Sequence, residues 1–266
     1  AEKADDVSLE VNGIGDVESL VGAKPSIYSG EASLYALRVG VELLAAGRAD
    51  FLYLSLTDYM QHKYAPEAAE SREFYRGIDV EVGRLLELGA IVGITADHGM
   101  NAKCNGDGSP NVIFLETELA REFGDGCRVI CPITDPYVVH HGALGSAVTV
   151  YLPDNLDRET VANWIAALIG VTEVQTREAA MAKLELPGDR IGDLFVLSAR
   201  DWVIGRTPEH HDLAKLEGTL RSHGGRYEEM VPFLISEPLN AKYAALAKGD
   251  PRNFDIFDFA CNGTQP

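Results

Sequence analysis

Three short polar runs carry residue types that could hold a metal. The first is Asp97-His98-Gly99, which closes the apolar stretch 90–96. An ionised Asp at the end of a buried segment is costly unless it is paired or bound to a metal. Gly99 lets the chain turn there at little steric cost, so that Asp97 and His98 can serve one ligand. The second is Asp58-x3-His62, which follows the apolar run 50–56. Residues four apart lie on one helical face, which brings a carboxylate oxygen and an imidazole nitrogen onto a single ion. The third is Ser222-His223-Gly224-Gly225, where the two glycines leave room beside the imidazole. Oxygen and nitrogen donors without thiolate suit a catalytic rather than a structural zinc, and also suit manganese.

The elements that must position these runs follow from the apolar spacing. Leu34, Leu37, Val41 and Leu44 mark one face of a helix over 31–46. Phe74, Ile78, Val82, Leu85 and Leu86 do the same for a helix over 67–88, which Gly89 ends. The continuous apolar runs 50–56 and 90–96 read as strands buried on both faces. Strand, crossover helix and strand form a right-handed βαβ unit, which delivers Asp58 and Asp97 to the same sheet edge, where ligands bind in open α/β sheets. Beyond Met100 the pattern changes to short strands (112–115, 127–131, 146–152, 171–175, 193–198) with helices over 117–123 and 157–169. A strand over 231–236 and a helix over 254–261 close the chain, and 1–29 reads as loop with at most short structure. The expected fold class is α/β: a mostly parallel sheet sandwiched by helices. The core takes 1–102 and 221–266, and 103–220 forms an inserted small α+β cap subdomain.

Composition narrows the partners. The net charge of −18 over 266 residues argues against nucleic acid and anionic membrane surfaces. Bound divalent cations would reverse that field locally for an anionic substrate. The 46% hydrophobic content is enough for a sizeable core, yet no run approaches the ~20 apolar residues of a membrane span. Cys104, Cys127, Cys131 and Cys261 show no disulfide framework, and Cys127 and Cys131 flank an alternating segment that reads as a strand with two small buried residues. With no secretory leader in view, the expected setting is cytoplasmic and reducing.

The order Asp-x3-His, Asp-His-Gly and a distant Ser-His-Gly-Gly resembles the alkaline phosphatase superfamily. The segments YLSLTDYMQHKYAP (53–66), ITADHGMNAK (94–103), ITDPYVVHHGALGS (133–146), LPGDRIGDL (186–194) and RSHGG (221–225) are similar to its phosphonoacetate hydrolase branch, over nearly the whole chain from about residue 30. The resemblance implies a hydrolase with two zinc ions, manganese or iron being the other metals considered. It acts on a small anion, phosphonoacetate, whose P–C bond yields phosphate and acetate. It implies Asp58, His62 and His223 as ligands of the first zinc and Asp97 and His98 as ligands of the second, with His62 and His223 also facing substrate. The family's remaining Asp ligand and its Thr nucleophile have no match; Thr57, Thr95 and Thr134 stand in the wrong context. Two catalytic zincs with about three protein ligands each need one more than these five. The expectation is therefore that the chain is the C-terminal part of a longer protein, inactive alone, and binds metal better at Asp58-His62-His223 than at Asp97-His98. A phosphodiesterase or nucleotide pyrophosphatase, a cofactor-independent phosphomutase, or a non-catalytic metal-binding module if the chain is complete are the alternatives. A homodimer is the assembly left open.

Other polar residues have plainer readings. His140 and His141 read as cap packing, His210 and His211 as a solvated loop, and Lys103 as a surface lysine. Asn101 reads as an ordinary polar residue of the loop, with orienting a ligand carboxylate from behind as the alternative.

Overall fold

The computed structural model describes residues 1–133, 144–216 and 218–265. The chain forms two compact units. One comprises Ala1–Asp97 and Val231–Pro266, the other His98–Met230.

In the first unit, two helices form a packed pair, Glu31–Ala45 and Ala69–Glu87. Tyr35, Leu37, Val41 and Leu43 line the buried face of the first, and Phe74 and Leu85 that of the second. Arg84 of the second helix fastens the pair by donating to Glu42 of the first at 2.8 Å, and it also donates to Glu81 on its own helix at 2.9 Å. Gly89, with φ +84°, ends the second helix in a left-handed conformation that costs glycine nothing. The segment 90–96 contributes the strand Gly93–Thr95, which pairs antiparallel with Phe233–Ile235 and packs against the helix Ile256–Asn262. Residues 1–29 hold, as expected, no more than short structure: a 3-10 turn at Ala4–Asp6 and two short helices, Leu9–Asn12 and Glu18–Val21.

One expectation needs correction here. Residues 50–56 join no ladder, and the strand Gly93–Thr95 bonds to Phe233–Ile235 instead. The parallel βαβ unit is therefore absent from the hydrogen bonding of the described residues. The reason is one of neighbours: a strand is defined by its partners, and no strand among the described residues lies against 50–56. Its apolar side chains still divide two ways. Leu54 presses against Gly40 of the first helix, while Phe51 and Tyr53 lean toward Phe257 and stay largely exposed.

In the second unit a four-stranded antiparallel sheet runs Arg128–Ile130, Ala147–Tyr151, Leu194–Ser198 and Val171–Thr176 in spatial order. Alternation puts Val129, Val148, Val150, Leu194 and Val196 on a core shared with Leu119, Val161 and Ile165 from the helices Leu115–Phe123 and Arg158–Ala166. Val112–Phe114 pairs parallel with Val203–Gly205, a strand the apolar spacing does not reveal. Asp157 and Thr176 cap the helices that follow them by accepting the N–H groups of Thr160 and Ala179. The mixture of parallel and antiparallel ladders with flanking helices is the α/β class expected. Among the described residues, no helix is long and apolar enough to cross a membrane.

Cys127 and Cys131 flank the strand Arg128–Ile130 and pack on this core, and all four cysteines are free thiols. Burial pushes the Cys131 thiol up to about 11. Because the thiolate is the reactive form, Cys131 should alkylate far more slowly than the exposed Cys261 at pH 8. Mass-spectrometric counting of iodoacetamide adducts against time checks this, and equal rates would contradict the packing described.

Candidate metal centre

In the first unit, Asp58 precedes the one-and-a-half-turn helix Tyr59–Lys63. The residue before it is locked in place: the Thr57 N–H donates to Ser33 Oγ at 3.0 Å, and Ser33 Oγ donates back to the Thr57 carbonyl at 3.3 Å. Ser33 is buried in the helix Glu31–Ala45, so the packed helix pair fixes where the Asp58 loop begins. On the other side, Gln61 donates to the Tyr75 hydroxyl at 3.0 Å. The His62 N–H closes a helical turn onto the Asp58 carbonyl at 3.0 Å. The consequence is that His62 Nε2 lies 3.1 Å from Asp58 Oδ2, with the His62 side chain only 6% exposed. One oxygen and one nitrogen donor thus converge, a contact that an ion pair explains and a donor pair that a divalent transition metal could use. Asp97 ends this unit two residues beyond the strand Gly93–Thr95. The Ala96 carbonyl before it accepts from Asn253 Nδ2 at 3.2 Å.

In the second unit, Asn101–Ala102 pairs antiparallel with Arg221–Ser222. That two-residue ladder carries His98 and His223 to the same end. Their rings stack with centroids 3.6 Å apart and planes within 3° of parallel. His223 is buried, its carbonyl accepts the Ser146 N–H at 2.8 Å, and Ser222 Oγ donates to the Leu144 carbonyl at 2.5 Å. Gly224 has φ +96°, a backbone conformation that a side chain would strain. His98 Nδ1 lies 3.0 Å from the Gly99 carbonyl. With Nδ1 as the donor to that carbonyl, the ring lone pair lies on Nε2.

Several background residues prove different from their sequence reading. Lys103 is fully buried rather than at the surface. Its ammonium donates to the Arg200 carbonyl at 2.7 Å and to Glu228 Oε1 at 2.9 Å. Burial pulls its pKa below the ordinary lysine value, with Glu228 opposing that shift. His211 is buried too, and its Nε2 accepts the Arg206 N–H at 3.0 Å, so only His210 fits the solvated reading. Asn101 donates to Glu228 Oε1 at 2.6 Å. Glu228 itself carries no motif. It follows Gly224-Gly225 within a charged stretch and gives no sign of burial in the sequence. His140, His141 and Thr134 lie outside the described residues.

Comparison with known proteins bears on this arrangement. The family model for type I phosphodiesterase / nucleotide pyrophosphatase matches residues 36–226. The structure is similar to that of phosphonoacetate hydrolase from Sinorhizobium meliloti in complex with phosphonoformate. The TM-score is 0.88 and the identity 44%, over 97% of this chain and 62% of that one. The complex of the same enzyme with phosphonoacetate matches with a TM-score of 0.87. Human ectonucleotide pyrophosphatase / phosphodiesterase 5 shares the fold at 15% identity, with a TM-score of 0.55 over 91% of this chain and 62% of its own. The chain thus spans about three fifths of the length of these relatives.

Proposed function

Because the chain belongs to the type I phosphodiesterase / nucleotide pyrophosphatase family, we propose that it supplies most of the metal ligands of a zinc-dependent hydrolase. That hydrolase cleaves the P–C bond of phosphonoacetate to phosphate and acetate. The observation that carries this reading is the 44% identity to phosphonoacetate hydrolase across 97% of the chain. Asp58, His62 and His223 would hold one zinc, and Asp97 and His98 would contribute to the second. The convergence of Asp58 Oδ2 and His62 Nε2, and the preset ring of His98, fit that role. When bound, the two ions would supply Lewis-acid stabilisation of the phosphoryl and carboxylate oxygens and lower the pKa of the attacking hydroxyl. The threonine bearing that hydroxyl, and the sixth ligand, are assigned to the part of the relative's length that this chain does not span.

The division of labour follows from the bond that breaks. Cleavage leaves the P–C electron pair on the acetate carbon, a poor leaving group, so charge must be held on the substrate carboxylate. His62 and His223, as ligands facing substrate, would set where the anion sits. Residues 103–220 would act as a cap over it. The net charge of −18 makes such a site necessary for an anion, since the chain as a whole repels one. Four free cysteines support a reducing compartment such as the cytoplasm.

The second reading, hydrolysis of a nucleotide phosphodiester, is favoured by the family description. One assay separates the two. The full-length gene product, loaded with zinc, is given phosphonoacetate or a nucleoside 5′-phosphodiester, and phosphate, acetate and nucleotide are quantified. Equimolar phosphate and acetate, lost on chelation and restored by zinc, are expected. Turnover of the diester alone would replace this reading with the second.

A further inference from the structure

The residues that join the His98 loop to the His223 loop are not ligands. Glu228 bonds to both loops at once. Its backbone carbonyl accepts the N–H of Gly99, one residue after His98, at 2.7 Å. Its Oε2 accepts the N–H of Gly225, two residues after His223, at 2.9 Å. Its Oε1 accepts from Asn101 Nδ2 at 2.6 Å and from Lys103 Nζ at 2.9 Å, and these two donors sit on the strand side of the His98 loop. Lys103 is anchored in turn on the Arg200 carbonyl at 2.7 Å. The two side chains are 0% and 1% exposed.

Burying a carboxylate and an ammonium is expensive, and a pair of apolar residues would serve packing alone at least as well. What the ionic pair adds is direction. A carboxylate held by donors from both loops can satisfy them only when the loops keep one spacing. We infer that the Lys103–Glu228 pair is a positioning device that sets His98 and His223 in register, with Asn101 as its third member. It rests on the reading of His98 and His223 as metal ligands for its purpose, though not for its geometry. Outer-shell partners of metal-binding histidines commonly fix ring orientation in this way.

The test uses the conservative variant Glu228→Gln, whose amide nitrogen can no longer accept from Gly225. The double variant Lys103→Leu/Glu228→Leu removes both charges together and stands in if the single variant does not fold. Two readouts are taken on protein whose circular dichroism matches wild type. The first is the side-chain NMR of the metal-free protein, in which the stacked rings shift each other's ring protons upfield. The second is the affinity for Co2+ and its visible absorption spectrum. The expected result is loss of the upfield ring signals together with Co2+ binding about 10–100-fold weaker and an altered spectrum. A folded variant that keeps the upfield signals overturns the inference, whatever the metal does. If wild-type protein shows the stacked rings but takes up no Co2+, the ligand reading fails. The positioning inference is then judged on the rings alone.

Discussion

Replacing Asp97 by alanine in the zinc-loaded, full-length protein is expected to lower phosphate release from phosphonoacetate by on the order of 10³-fold. Lewis-acid stabilisation is worth several kcal/mol in the transition state, and each 1.36 kcal/mol is tenfold in rate. Asp97 stands at the end of a segment tied down by the Gly93–Thr95 ladder and by the Asn253–Ala96 hydrogen bond. The substitution therefore removes a carboxylate from a fixed backbone. The loss should fall on kcat. Unchanged turnover would remove Asp97 from the centre.

Lys103→Met is expected to have the largest effect on stability, about 3–5 kcal/mol in denaturant unfolding of the second unit. Methionine fills much of the lysine's volume but strips the 1% exposed Glu228 carboxyl of its cationic partner, leaving Asn101 and the Gly225 N–H as its donors among the described residues. Removing one member of a buried pair costs more than removing both. The double variant Lys103→Met/Glu228→Leu should therefore recover a large part of the loss. A single variant as stable as wild type would mean that the buried Glu228 side chain needs no cationic partner, and the ionic account of this contact would fall.

Helices were the most legible part of the sequence, because their apolar stripes recur at helical spacing. The reading 31–46 and the observed Glu31–Ala45 agree to one residue, and 67–88 contains Ala69–Glu87. Strands inside the second unit were legible where both faces are buried, as at Ala147–Tyr151 and Leu194–Ser198. Pairing was not. The apolar run 50–56 reads as buried on both faces, yet none of its residues is buried and Phe51 and Tyr53 are 62% and 72% exposed, because burial and ladder alike depend on which other strands are at hand. The short strand Val203–Gly205 was missed because three residues carry too little pattern.

The polar residues divide in the same way. Asp58 and His62 are four apart on one turn, so their convergence is a local property that spacing can reveal. Lys103 and Glu228 are far apart in sequence and become buried only through tertiary structure. Both belong to types that are usually solvated, and nothing near either signals otherwise. His211 illustrates the same limit. A histidine after Pro208-Glu209-His210 reads as loop, but its ring closes a turn by accepting the Arg206 N–H.

The proposal that Asp58, His62 and His223 hold one zinc is the centre of this account. It is tested most directly by the zinc content of the purified 266-residue chain after equilibrium dialysis, compared with the His62→Ala variant. The account predicts close to one tightly held zinc per chain, reduced to background by the substitution. No retained zinc in the wild-type chain, or the same zinc in the variant, would contradict it.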